Sequence, residues 1–192
     1  MSIPVRTFFT VFIACLMGVS LQSHATGIEP LVGTLKNIYV ASYHHGSSCL
    51  SLSEKEFDNA ILSEINSRGV EAIDKHQYFD ISLQEASSDS AYGRYGVNLF
   101  TQKLDNDLCV AHIEARLSFD VKALIPYTQD QTTQINHSFI INNQILVGEA
   151  EKIMLEIEEF NAVSAKLLTN YVLRYKQKTL SKYPEVKHNF GE

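Results

Sequence analysis

The sequence predicts a single α+β domain: a mainly antiparallel sheet of four to five strands packed by one short helix and one long C-terminal helix. Three observations predict it. From Cys109 to Val121, seven consecutive odd positions are apolar or small, while His112, Glu114, Arg116, Ser118, Asp120 and Lys122 fall on the other face, which fixes both strand and register. From Ala150 to Tyr175 apolar residues recur at helical spacing without a break. Between them and upstream, strand-like runs follow one another across short polar turns, the pattern of an antiparallel sheet with one covered face.

Thr34 to Tyr43 is rich in β-branched and aromatic residues and reads as a first strand, ended by the polar loop His44-His45-Gly46-Ser47-Ser48. Ser53 opens a helix, with Glu56 three residues on as a capping box requires and Phe57, Ala60, Ile61 and Ile65 on one face. Gly69 stops it at a position that favours a left-handed residue. Phe79, Ile81 and Leu83 alternate with polar residues and predict a half-buried strand, closed by the turn Ser87-Ser88-Asp89-Ser90. Tyr92 to Lys103 places Tyr95, Val97, Leu99 and Thr101 on one side, and Asp105-Asn106-Asp107 reverses the chain into the strand from Cys109. Pro126 and the polar stretch Thr128 to Thr133 form a loop, and Gln134 to Ile141 a less regular last strand. The closing helix is acidic at its start (Glu149, Glu151, Glu156, Glu158, Glu159) and basic at its end (Arg174, Lys176, Lys178, Lys182), which complements its dipole. Pro184 lies beyond it, before a loose tail over residues 184–192. The expected order is β-α-β-β-β-β-α.

The segment from Met1 to Ala25 reads as an export leader. Arg6 precedes an apolar run from Thr7 to Leu21, and Ser23-His24-Ala25 supplies the small residues a signal peptidase reads. The run is shorter than a bilayer-spanning helix needs, so the mature chain, residues 26–192, is expected to hold no transmembrane segment. Cys15 is the rival feature, as a lipid-attachment site. Phe12-Ile13-Ala14-Cys15 fits that pattern loosely, because apolar residues continue past the cysteine to Leu21. The expected location is therefore the periplasm or the exterior. Without the leader the chain keeps 15 Lys+Arg against 22 Asp+Glu, a formal charge of −7. A surface so acidic argues against a nucleic-acid partner.

Export leaves two cysteines, Cys49 and Cys109, and an even pair in an oxidising compartment reads as one disulfide. His44 and His45 are the weak metal candidates, because a closed site wants about four ligands and the remaining histidines are scattered singly. No cofactor is expected. Tyr92, Arg94 and Tyr95, set among Gly93 and Gly96, form a compact group of rings and guanidinium suited to a partner contact. The even face of the long strand, with His112, Glu114 and Arg116, reads as a solvated surface. There is no catalytic elbow, phosphate-cradling glycine motif, zinc helix signature or complete calcium loop. Asn136-His137-Ser138 is a glycosylation sequon.

The segments Ile38 to Tyr43, Phe57 to Gly69 with its Ser67-Arg68-Gly69 ending, the strands from Phe79 to Val121 and the helix from Glu149 together resemble a group of small bacterial envelope accessory domains, periplasmic or lipoprotein. The likeness covers nearly the whole mature chain and lies in element order alone. It implies a non-catalytic accessory role, binding another envelope or exported protein or an amphiphilic ligand. The competing expectations are an exported immunity or inhibitor protein against a toxin, and a small exported enzyme.

Overall fold

The computed structural model describes residues 32, 33, 35, 37–46, 49–84, 92–104, 107–124 and 132–184. The segment from Met1 to Ala25 with Cys15, the expected turn at residues 87–90, Pro126 and the tail from residue 185 lie outside them. The chain is α+β, as the sequence predicts. Its strands are β1 (Asn37–Val40), β2 (Tyr43–Gly46), β3 (Ala72–Asp74), β4 (Tyr92–Lys103), β5 (Leu108–Leu124) and β6 (Thr132–Glu149). Its helices are α1 (Glu54–Ser67), α2 (Lys75–Gln84) and α3 (Ala150–Lys182).

The six strands make one mixed sheet in the order β3-β1-β4-β5-β6, with β2 also pairing β4. The long strands β4, β5 and β6 are antiparallel, while β1, β2 and β3 join by parallel ladders. The register of β5 is the predicted one. Cys109, Ala111, Ile113, Ala115, Leu117 and Phe119 are all buried, and Tyr95, Val97, Leu99 and Thr101 of β4 lie beside them. Against this face α3 sets Ile153, Ile157, Phe160, Ala165, Leu168 and Val172, and α1 sets Phe57, Ile61 and Ile65. Burying a side chain of that size contributes about 1.5–3 kcal/mol, so the core between one sheet face and two helices is the main source of stability.

Five expectations are corrected. The run around Phe79, Ile81 and Leu83 is the helix α2 and not a strand. The signal for it lies just upstream: the Asp74 carboxylate accepts from the Gln77 amide at 2.8 Å, and the Asp74 amide donates to Gln77 Oε1 at 3.3 Å, a reciprocal capping box. At α1, by contrast, Ser53 holds the cap position without a side-chain bond. His44-His45-Gly46 is strand β2, so the first expected strand is two short ones, broken where the Ser42 amide donates to Asp58 of α1 at 3.0 Å. The tripeptide β3 is an addition to the expected order. Finally, β6 runs on to Glu149, through a register shift opposite Ala115 and Arg116. Before the shift Phe139 faces the core side opposite Leu117, and after it Leu146 does, opposite Ala111. One extra residue thus changes odd-in to even-in, which hides a long strand from a period-two reading.

Gly69 and Gly33 are among the glycines that geometry requires. Gly69, at φ +81°, ends α1 in the left-handed region, as predicted. Gly33 packs so closely on the end of α3 that a Cβ there would strike Thr179 and the Tyr175 carbonyl.

Candidate functional site

The sheet face opposite the core is covered by α2 at its β1–β3 side, through ring contacts of Tyr78, and carries polar side chains across β4, β5 and β6. This follows from strand pleating, since every residue flanking a core position on β4 or β5 points the other way. Two adjoining clefts lie there. One, of about 170 Å³, is lined by Tyr39, Tyr78, Tyr92, Arg94, Asp120 and Asn136, among others. The other, of about 210 Å³, is lined by Arg94, Asn98, Arg116, Ser118 and Ser138, among others. Arg94 belongs to both.

The clefts are built from rungs of the sheet. Tyr39 pairs in register with Arg94, Arg94 with Ser118, and Ser118 with Ser138. The Tyr39 and Tyr78 rings stack at 3.9 Å between centroids, 9° from parallel, and Tyr92 meets Tyr78 edge-on at 5.3 Å. Arg94 places its guanidinium over the Tyr43 ring at 4.9 Å. Among the described residues no carboxylate lies within 4 Å of it. Arg116, in contrast, is taken up by Glu114, at 2.8 and 3.0 Å, and by Ser138 at 3.4 Å. Asp120 accepts from the Asn136 amide at 2.9 Å, and Ser118 bonds Ser138 at 3.1 Å. Burial, with smaller contributions from neighbouring Tyr78, Tyr43 and Asp120, pushes the Tyr39 phenol up to about 12 against the opposing pull of Arg94. It therefore holds its proton at neutral pH and is available as a donor.

Of the expected contact residues, Tyr92 and Arg94 are brought together here and Tyr95 is not. Tyr95 is fully buried on the opposite face beside Ser164, and burial raises its phenol well above the usual range. Odd and even neighbours on a strand cannot share a surface, so three residues within one short segment divide between core and cleft. Sequence reasoning missed Tyr39, Tyr78, Asn136 and Ser138, which are remote along the chain and meet through the parallel β1–β4 pairing, α2 and the antiparallel β5–β6 pairing.

Cys49 and Cys109 form a disulfide that ties the segment after β2 to the start of β5. The two histidines diverge. His44 bonds Thr101 Oγ1 at 3.1 Å on the core side, while His45 stacks on Phe100 at 5.3 Å on the open side. No group of three or more His, Cys, Asp or Glu side chains able to hold a metal occurs among the described residues. His112 turns toward Phe100 at 6.1 Å, apart from the Glu114–Arg116 pair. No described helix is long and apolar enough to cross a membrane.

No family model and no curated protein matches the chain. Solved structures give distant superpositions. A homolog of a neuraminyllactose-binding hemagglutinin from Helicobacter pylori aligns with a TM-score of 0.38 at 10% identity, over 81% of this chain and 91% of that one. A minor lipoprotein from Acinetobacter baumannii aligns with a TM-score of 0.27 at 8% identity, over 77% and 92%. Scores this low transfer neither a ligand nor an activity.

Proposed function

We propose that this chain is an exported, non-catalytic binding protein of the bacterial envelope. On this reading it engages another exported protein through the open face of its sheet. One observation carries the reading: Arg94 stands at the junction of the two clefts, stacked on Tyr43 and without a carboxylate of its own among the described residues. A half-buried guanidinium flanked by rings and hydroxyls is the composition of a contact hot spot for an acidic or carbonyl-rich group. The leader-like segment from Met1 to Ala25 and the Cys49–Cys109 disulfide support an oxidising compartment outside the cytoplasm. The Tyr39 phenol, protonated at neutral pH, supports hydrogen-bond donation in the cleft over general-base work.

The test is site-specific photocrosslinking in the native host. A photoreactive residue at Ser138 in the cleft is expected to capture one exported partner, and a control at Lys55 on α1 is expected not to. Arg94→Ala should lower capture at Ser138 about tenfold while leaving the melting curve unchanged. Equal capture at both positions, or capture indifferent to Arg94→Ala, counts against the cleft. Recovery of the chain in the cytoplasm with the segment from Met1 to Ala25 intact counts against export.

A further inference from the structure

The outer strand of the sheet is built against the usual rule. Exposed edges are normally protected by charge or proline, because their free backbone groups invite pairing. Here the interior strand β5 carries Glu114, Arg116, Asp120 and Lys122, whereas the edge strand β6 carries no charged residue from Thr132 to Gly148. Among the described residues the register shift is what interrupts it. Apart from the β5 ladder, no backbone–backbone bond reaches β6 among the described residues.

Beside that edge lies an apolar flank of α3. The helix runs back antiparallel to β6, as the Asn142–Ser164 hydrogen bond at 3.0 Å and the Phe139–Tyr171 ring contact at 5.2 Å show. On a helical projection Val163 and Leu167 fall next to Ser164 and Tyr171, on the side away from Ala165, Thr169 and Val172. Leu167 belongs to the apolar stripe of the sequence, yet it is 46% exposed, and Val163 is 44% exposed. Continuing along this flank, Glu156, whose carboxylate also lies 3.8 Å from Lys152 of its own helix, stands seven residues before Val163, and Arg174 seven after Leu167. The two pairs share one midpoint, residue 165.

We propose that the chain forms a two-fold symmetric dimer in which β6 and this flank of α3 meet the same elements of a second copy. An axis through the level of residue 165 sets Val163 against the partner's Leu167 and Glu156 against the partner's Arg174, and their symmetry mates likewise. This palindrome of acid, apolar, apolar, base has the self-complementarity that an isologous contact requires. The Asn142–Ser164 bond brings the middle of β6 to the same level, so one axis serves both layers. The neutral edge matters because the chain is acidic, at −6 overall, and β6 is where two copies approach without opposing charges. The open-face clefts stay accessible in such a dimer, so it stands independently of the binding role.

Sedimentation equilibrium of the full chain, purified from its host at about 10–100 μM, is expected to give twice the chain mass. The double variant Val163→Glu/Leu167→Glu should raise the dissociation constant at least about 100-fold with an unchanged circular dichroism spectrum. Glu156→Arg and Arg174→Glu should each weaken the dimer about tenfold, and the two together should restore it, a result independent of how well the first variant folds. A wild-type chain that stays monomeric overturns the proposal. So does a dimer or larger assembly indifferent to residues 163 and 167, or a charge swap that fails to rescue.

Discussion

Asn66 does for β3 what a neighbouring strand would do. Its side-chain amide donates to the Ala72 carbonyl at 3.2 Å and its oxygen accepts from the Ala72 amide at 2.9 Å, so the last turn of α1 closes the edge of the sheet. The site is partly open to water, and Asn66→Ala is expected to cost about 1 kcal/mol, read as a lower urea midpoint with an unchanged slope. At the other end of the same unit the disulfide has more leverage. Cys49 and Cys109 are 60 residues apart, for which chain entropy predicts about 4 kcal/mol. Cys49→Ser should lower the melting temperature by about 8–16 °C in oxidising buffer, and reductant should bring the wild type down to the same value. Wild-type and variant curves that coincide in oxidising buffer would remove this role from the bridge. The pairing is legible in the sequence because only two cysteines follow the apolar segment that ends at Leu21. Asn66 is not, because nothing local marks a side chain that will serve a backbone six residues away.

Among the elements, legibility follows periodicity. β4, β5 and α3 have long in-phase patterns, and each is readable nearly to its ends. α2 mimics a strand because three apolar residues two apart satisfy a strand template over so short a window, while the Asp74–Gln77 box that nucleates a helix lies outside it. β6 reads as shorter than it is because its register shift reverses the inward face midway. Both effects obscure the candidate site, since Tyr78 is on α2 and Ser138 on β6. With α2 placed, Tyr78 becomes the side chain that roofs the cleft, through its stack on Tyr39 and its edge contact with Tyr92. Tyr78→Ala should cost about 1 kcal/mol beyond lost burial and diminish the near-ultraviolet circular dichroism of the stacked rings. Crosslinking at Ser138 should fall with it. A variant that loses the spectral signal yet captures the partner normally would separate the aromatic roof from binding.

Across the whole molecule, the sheet divides the chain into a dry face and a wet one, and its tyrosines report on both. Tyr95 is sealed in the core and Tyr39 is half-buried beneath Tyr78, and in each case burial is the largest cause of a raised phenol. An unfolded chain releases these protons near pH 10, whereas the folded chain holds the Tyr39 proton to about 12 and the Tyr95 proton longer. Between those values the unfolded state binds fewer protons than the native one, so stability falls as pH rises. The contribution is complete below pH 10 and disappears progressively from there through about 12 and beyond, opposite in sign to the acid loss that paired carboxylates produce. Urea unfolding at stepped alkaline pH should therefore show a declining midpoint above pH 10, with the tyrosinate absorbance of the native protein lagging behind that of the unfolded chain. Tyr39→Phe removes one of the two groups while keeping the ring stack. Its midpoint should fall less steeply across this window than the wild type's. A parallel decline in both would mean that the Tyr39 phenol is solvated, and with it that the cleft floor beneath Tyr78 is wet.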